Sequence, residues 1–221
     1  MAHIEGVLFD VDGTLVDTTF IHTVCWWQAF RQADLDAQMA VIHRSIGMGG
    51  PRLIDNALGE RASGVDTDAL SAAHDALYSA YWPQLRVLPG ARDLLLRTKR
   101  AGLKVILASS AKQSDLDVLL GVLDVGDAID VVTSSSDAED SKPAPDIIEV
   151  ALTKAKLPAE RTAFVGDAVW DVHAAAAAGV ACIGLESGGT SAAELTEAGA
   201  VATYRDPAHL LEHFDGSLLG R

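Results

Sequence analysis

The stretch VLFDVDGTLVDT, residues 7–18, decides how the chain is read. With the residues just before it, it forms IEGVLFD (4–10), a short apolar run bounded by Gly and Asp that has the composition of a buried strand. Asp10 and Asp12 stand two residues apart at its end, followed by Gly13 and Thr14. A strand ending in this way carries carboxylates to its carboxyl edge. Gly13 lets the backbone turn sharply there and face its amides toward an anion.

Similar runs recur downstream at KVILASS (104–110), IDVVTSS (129–135), TAFVGD (162–167), ACIGLE (181–186) and AVATYR (200–205). Helical patterns at 91–102, 112–123, 144–157, 169–179 and 191–199 separate them. Glycine closes three of these, and Pro145 suits the opening turn of another. Such alternation predicts an α/β fold: a Rossmann-like parallel sheet with helices on both faces and right-handed crossovers. It is interrupted between residues 18 and 87, which read as helices only, at 18–33, 35–46, 51–59 and 66–85. The expected organisation is a core of residues 1–17 and 88–221 with an inserted α-helical cap over 18–87. The alanine run HAAAAAG (173–179) reads as small residues that let a helix lie close on the sheet.

The chain of 221 residues is 49% hydrophobic and only 5% aromatic, suited to one large domain with an insert. Its net charge of −14 opposes nucleic acid or an anionic membrane as partner. An anionic substrate would therefore need positive charge built into the site itself. Cys25 and Cys182 lie far apart in apolar segments and are expected to be buried free thiols. The opening MAHIEGVLFD lacks a basic region ahead of a long apolar run, and the apolar run 174–185 is too short to span a bilayer. A cytoplasmic protein is expected, as a monomer or homodimer.

Ligands of open α/β sheets bind beyond the carboxyl ends of the strands. The first strand delivers Asp10, Asp12, Gly13 and Thr14 to that edge, and the second delivers Ser109 and Ser110. A later loop, SKPAPD, brings Lys142, and GDAVWD brings Asp167 and Asp171. Taken singly, each suits an ordinary turn or helix cap. Together they place two acid clusters, hydroxyls and a lysine on one edge. Carboxylates so gathered repel one another unless a cation joins them. Mg²⁺, a hard ion with oxygen ligands, suits Asp10, Asp167 and Asp171. With Lys142 it would supply the positive charge that a phosphate monoester needs.

DVDGTLVDT, ASS, SKPAPD and GDAVWD, in this order and spacing, resemble the four signature motifs of the haloacid dehalogenase superfamily. The helical insert resembles the cap of the subgroup that includes phosphoglycolate phosphatase and β-phosphoglucomutase. The resemblance implies Asp10 as the nucleophile that forms an aspartyl-phosphate and Asp12 as general acid and base. It implies Ser109 as a phosphate holder and Lys142 as the group that neutralises Asp10 and the phosphoryl group. Asp10, the backbone carbonyl of Asp12, and Asp167 would bind Mg²⁺, with Asp171 close by or acting through water. Gly13, Thr14 and Ser110 join the expected substrate contacts. Dehalogenases lack an acid two positions after the nucleophile, so Asp12 favours phosphoryl chemistry.

In the expected cap, His22 and Trp26 share one helix face, and His22 is either a hinge or substrate residue or a packing histidine. SIGMGGPRL (45–53) breaks the helical pattern with three glycines, as a substrate-choosing loop under a cap would, with Gly47 and Arg52 as candidates. The leading reading is a Mg²⁺-dependent phosphatase of a small phosphorylated metabolite. The alternatives are a sugar-phosphate mutase, with Lys112 where mutases hold a second phosphate, and a non-catalytic binder of a phosphometabolite. Gly166 argues against the mutase, since the mutases that the chain resembles carry a Glu-Asp pair where this chain has Gly-Asp.

Overall fold

The computed structural model describes residues 3–220; residues 1, 2 and 221, the extreme ends of the expected core, lie outside the described residues. The chain begins with β1 (Gly6–Phe9), then α1 (Thr19–Gln32), α2 (Met39–Ser45), α3 (Gly50–Leu58) and α4 (Thr67–Ser79). Strand and helix alternate from there: α5 (Ala91–Arg100), β2 (Lys104–Ala108), α6 (Gln113–Leu123), β3 (Val131–Thr133), α7 (Asp146–Ala155) and β4 (Thr162–Gly166). The alternation ends with α8 (Val169–Ala177), β5 (Ala181–Leu185), α9 (Ala192–Ala198), β6 (Ala202–Tyr204) and α10 (Pro207–Glu212).

The strands form one six-stranded sheet in the order β3-β2-β1-β4-β5-β6, with every pairing parallel. This is the α/β architecture expected of the sequence. Alternate residues feed two cores. Val7, Phe9, Val105, Leu107, Val165 and Ile183 pack on one face with Leu94, Leu95, Leu119 and Leu210. Leu8, Ile106, Phe164 and Cys182 pack on the other with Ile148, Ala151, Val172, Ala175 and Leu195. Both faces being covered, the strands read as continuous apolar runs instead of alternating ones. Ala174 and Ala175 are fully buried, so the alanine run does bring α8 close to the sheet.

Helices α1 to α4 build a third core from Trp26, Phe30, Ile42, Leu53, Ile54 and Leu70. The chain leaves and re-enters the sheet region side by side: Asp17 N donates to Arg86 O at 2.9 Å, and Leu88 N to Leu15 O at 2.9 Å. Cys25 and Tyr78 belong to the sheet's core instead, which ties α1 and α4 to it. Both cysteines are free and buried. Among the described residues no helix is long and apolar enough to cross a membrane.

Several elements are shorter than the sequence predicts. The helix expected over 66–85 ends at Ser79, because Pro83 has no N–H to donate to Ser79 O; Trp82–Gln84 form a 3₁₀ turn. The helix expected over 35–46 starts at Met39, after Asp34 takes a left-handed φ of 58°. The strand expected over 129–135 keeps only Val131–Thr133: Asp130 Oδ2 accepts from Val105 N, and Ser134 N donates to Asp137 Oδ2, each at 2.9 Å. An unanticipated helix, α10, opens where Asp206 accepts from His209 N and Pro207 occupies the first turn.

Leu8 is fully buried in the central strand. Leu8→Ala is expected to lower unfolding free energy by about 2–5 kcal/mol, read from urea denaturation. A loss below about 0.5 kcal/mol would contradict this packing.

Candidate active site

The parallel register levels β1 with its neighbours, pairing Phe9 with Leu107 on β2 and with Val165 on β4. The residues beyond these ends, Asp10, Ser109 and Asp167, therefore meet at the middle of the sheet's carboxyl edge. Lys142, from the loop before α7, is fully buried there. Its Nζ donates to Asp10 Oδ1 at 2.5 Å and pairs with Asp171 Oδ1 at 2.7 Å. Asp171 Oδ2 accepts from Asp167 N at 3.1 Å and Ala168 N at 3.0 Å, fixing the first turn of α8. Thr14 Oγ1 donates to Asp167 Oδ1 at 2.9 Å. Asp10, Asp167 and Asp171 each offer an oxygen within 4.8 Å of the others.

Three glycines make this crowding possible, among them Gly188, where a Cβ would meet Asp167 Oδ2. Gly13 has φ +77°, and a Cβ there would meet Thr19 Oγ1 and come within 2.6 Å of Asp167 Oδ2. At Gly166 a Cβ would stand 2.5 Å from Asp171 Cγ, so the carboxylate of Asp171 occupies the space of a side chain.

Burial pushes the Asp10 carboxyl up; Lys142 pulls it back, and Asp171 and Asp12 push it up again, to about 7. Asp167 is raised well above the usual range by burial and then by Asp171 and Asp10. Lys142 is held above its ordinary value: burial works against its charge, and Asp10 and Asp171 overcome that. One ammonium thus faces three buried carboxylates, a donor set with excess negative charge and oxygen ligands only. That set fits a hard divalent cation such as Mg²⁺.

Asp12 has partners of its own. Its Oδ1 accepts from Thr18 Oγ1 at 2.7 Å and lies 3.3 Å from His22 Nε2. Burial works to raise this carboxyl, but the hydrogen bonds and charge of His22 and the Thr18 hydroxyl hold it below the usual range. His22 Nδ1 lies 3.1 Å from His74 Nε2, His74 Nδ1 lies 3.0 Å from Asp75 Oδ1, and Asp75 pairs with Lys112. With His74 donating to Asp75 and accepting from His22, one proton serves the Asp12–His22 contact. His22 stacks on Tyr78 with ring centroids 4.0 Å apart, and His74 on Trp26 at 4.3 Å.

A cavity of about 170 Å³ opens over these groups. Asp10, Asp12, His22, Gly47, Ser110 and Lys112 line it, as do Asp167 and Asp171. Ser109 and Thr14 are fully buried beneath it, Thr14 turned to Asp167 and Ser109 Oγ accepting from Ala111 N at 3.0 Å. Gly47, at φ +96°, passes Ala168 and Trp170 at the start of α8. Arg52 departs from the expectation. The Gly-Gly-Pro segment starts α3 at Gly50, and Arg52 in that first turn faces Asp140 at 3.4 Å and does not line the cavity. Sequence reasoning missed His74, Asp75, Asp115 and Ser71, which line the cavity from ordinary helical positions. It also missed the contacts that hold α2 to the sheet's edge: His43 Nε2 to Gly188 O at 2.9 Å, Trp170 Nε1 to Arg44 O at 2.7 Å, and the Arg44–Glu194 ion pair.

The family model of the haloacid dehalogenase-like hydrolases matches residues 4–179. The chain belongs to this family. A phosphoglycolate phosphatase of Pseudomonas fluorescens is 29% identical over 188 residues, covering 82% of this chain and 69% of its own. The protein CbbY of Cereibacter sphaeroides is 26% identical over 191 residues, covering 81% of this chain and 83% of its own. The crystal structure of a hydrolase from Pseudomonas syringae superposes with a TM-score of 0.89 at 32% identity, covering 96% of this chain and 98% of that one. A β-phosphoglucomutase from Clostridium difficile shares the fold, with a TM-score of 0.83 at 19% identity over 98% of this chain and 97% of its own. As a member of these hydrolases the chain is an enzyme of the phosphatase kind.

Removing this buried ammonium takes from Asp10 and Asp171 the cation that pairs with them. Lys142→Met is expected to cost about 3–5 kcal/mol of stability at neutral pH and to reduce turnover to background. Denaturant titration checks the first; unchanged stability would mean that Lys142 does not balance the cluster.

Proposed function

We propose that this chain is a Mg²⁺-dependent phosphatase that hydrolyses a small phosphorylated metabolite, phosphoglycolate-like or sugar-phosphate-like, through an aspartyl-phosphate on Asp10. The observation that carries this reading is the division of labour between two nearby acids. Asp10 sits against Lys142 within the carboxylate cluster, while Asp12 faces the same cavity with Thr18 and His22 as separate partners.

An Asp10 carboxylate oxygen attacks phosphorus as the ester oxygen leaves, and Asp12 gives that oxygen its proton. Asp12, now a base, takes a proton from water, which attacks the same phosphorus and releases inorganic phosphate and free Asp10. His22 orients the Asp12 carboxyl and shares its proton. Lys142 stabilises Asp10 and the charge on the transferring group. Ser109 accepts from Ala111 N, which leaves its own proton free for a phosphate oxygen. Asp10, Asp167, Asp171 and the backbone of Asp12 would hold Mg²⁺, which when bound neutralises charge on the phosphoryl oxygens. Residues 18–87 act in this reading as a cap over a core of 1–17 and 88–221, closing on it through the contacts at Gly47, His43 and Arg44 and excluding water. The net charge of −14 favours no nucleic acid or membrane partner, in keeping with a cytoplasmic monomer or homodimer.

A mutase is the second reading, since Lys112 lines the cavity. Its ammonium is already paired with Asp75, and the mutase-like Glu has no room at Gly166 beside Asp171. Water is expected to win as phosphoryl acceptor. With β-glucose 1-phosphate and catalytic 1,6-bisphosphate, free phosphate should be the main product if the sugar phosphate is accepted. Rapid accumulation of glucose 6-phosphate with little free phosphate would favour the mutase.

Phosphate release from p-nitrophenyl phosphate is expected to vanish in EDTA and return with Mg²⁺, and Asp10→Asn should fall to background. Full activity of the metal-free protein would refute the metal assignment, and a phosphorylated Asp10→Asn enzyme would place the nucleophile elsewhere.

A further inference from the structure

Asp115, in the first turn of α6, is a carboxyl that the chemistry above leaves unused. It is 9% exposed and lines the cavity. Among the described residues no group donates a hydrogen bond to its side chain. Its titratable neighbours are Asp75, His22, Asp12 and Lys112, and burial raises it to about 6. A carboxyl that faces a cavity with no donor from the protein calls for one from the ligand that displaces the water there.

The other polar groups around it narrow what that ligand is. Lys112 is the only lysine or arginine lining the cavity among the described residues, and its ammonium is paired with Asp75. Arg52 is turned to Asp140. His74 is held below its ordinary pKa, first by burial, so it adds no positive charge here at neutral pH. Ser71 also lines the cavity, and no hydrogen bond engages its hydroxyl among the described residues. A carboxylate or second phosphate on the leaving group would lie beside Asp115 and Asp75 with no free cation lining the cavity among the described residues to meet it. A hydroxyl, by contrast, can donate to Asp115 and accept from Ser71.

We propose that Asp115 selects the substrate of this site by accepting a hydroxyl of the leaving group. The enzyme then takes monophosphate esters of uncharged polyols or sugars and rejects esters that carry a carboxylate or a second phosphate. This rests on the phosphatase reading and departs from the substrate that the curated relatives' name carries.

Glycerol 3-phosphate and 3-phosphoglycerate make a matched pair, a hydroxymethyl group in one replacing a carboxylate in the other. Phosphate release with Mg²⁺ is measured for both, and for 2-phosphoglycolate, O-phosphoethanolamine and p-nitrophenyl phosphate. Wild-type kcat/KM is expected to favour glycerol 3-phosphate over 3-phosphoglycerate by about 100-fold or more. Asp115→Ala should lower kcat/KM for glycerol 3-phosphate by about 10- to 100-fold and shrink that ratio, and Asp115→Asn, which keeps an acceptor, should lose less. Equal or better use of either carboxylated ester would overturn the assignment while leaving the phosphatase reading intact. So would preference for O-phosphoethanolamine, which would mark Asp115 as an ammonium site, or an unchanged ratio in folded Asp115→Ala. No phosphate release from any of the five esters would overturn both.

Discussion

Placing Asp10, Asp167 and Asp171 within 4.8 Å of one another, all buried, is the constraint on which the site depends. Each carboxylate loses its hydration and meets like charge, which raises Asp10 and Asp167 above their ordinary range. Lys142 offsets part of this by bridging Asp10 and Asp171. The local structure is organised around the rest: Thr14 is turned to Asp167, the amides of Asp167 and Ala168 are turned to Asp171, and Gly13 and Gly166 give up their side-chain space to the acids. The parallel register that sets β1 between β2 and β4 brings these loops together, so the sheet's topology and the site's charge pattern belong to one design.

The second acid depends on a different set of contacts. Asp12 reaches away from the cluster to Thr18 and His22, and from there a run of polar contacts crosses His74 and Asp75 to Lys112. The stacked rings of Tyr78, His22, His74 and Trp26 pack along this run. It joins helices α1 and α4 to the start of α6, so the surroundings of Asp12 and the cavity are shaped by the same aromatic packing.

Much of this was legible in the sequence because its causes are local. Sheet strands covered on both faces must be continuous apolar runs, and each central strand ended in the residue that the edge presents: Asp10, Ser109 and Asp167. Lys142 was readable from its motif. His74, Asp75 and Asp115 were not, because on a helix surface an acid or histidine is ordinary, and only the tertiary fold brings α4 and the start of α6 to one cavity. Arg52 misled for the complementary reason: an arginine beside a glycine loop suits an anion, but the helix begins at Gly50 and swings it to Asp140. Helix ends failed where a single residue decided them, as Pro83 did for α4.

Calorimetric titration of the metal-free protein with Mg²⁺ addresses the charge balance directly and needs no substrate. One Mg²⁺ should bind per chain, and Asp167→Asn should abolish the binding while the protein stays folded by circular dichroism. Absence of saturable Mg²⁺ binding to the wild type, or equal binding by Asp167→Asn, would contradict a cation shared by Asp10, Asp167 and Asp171.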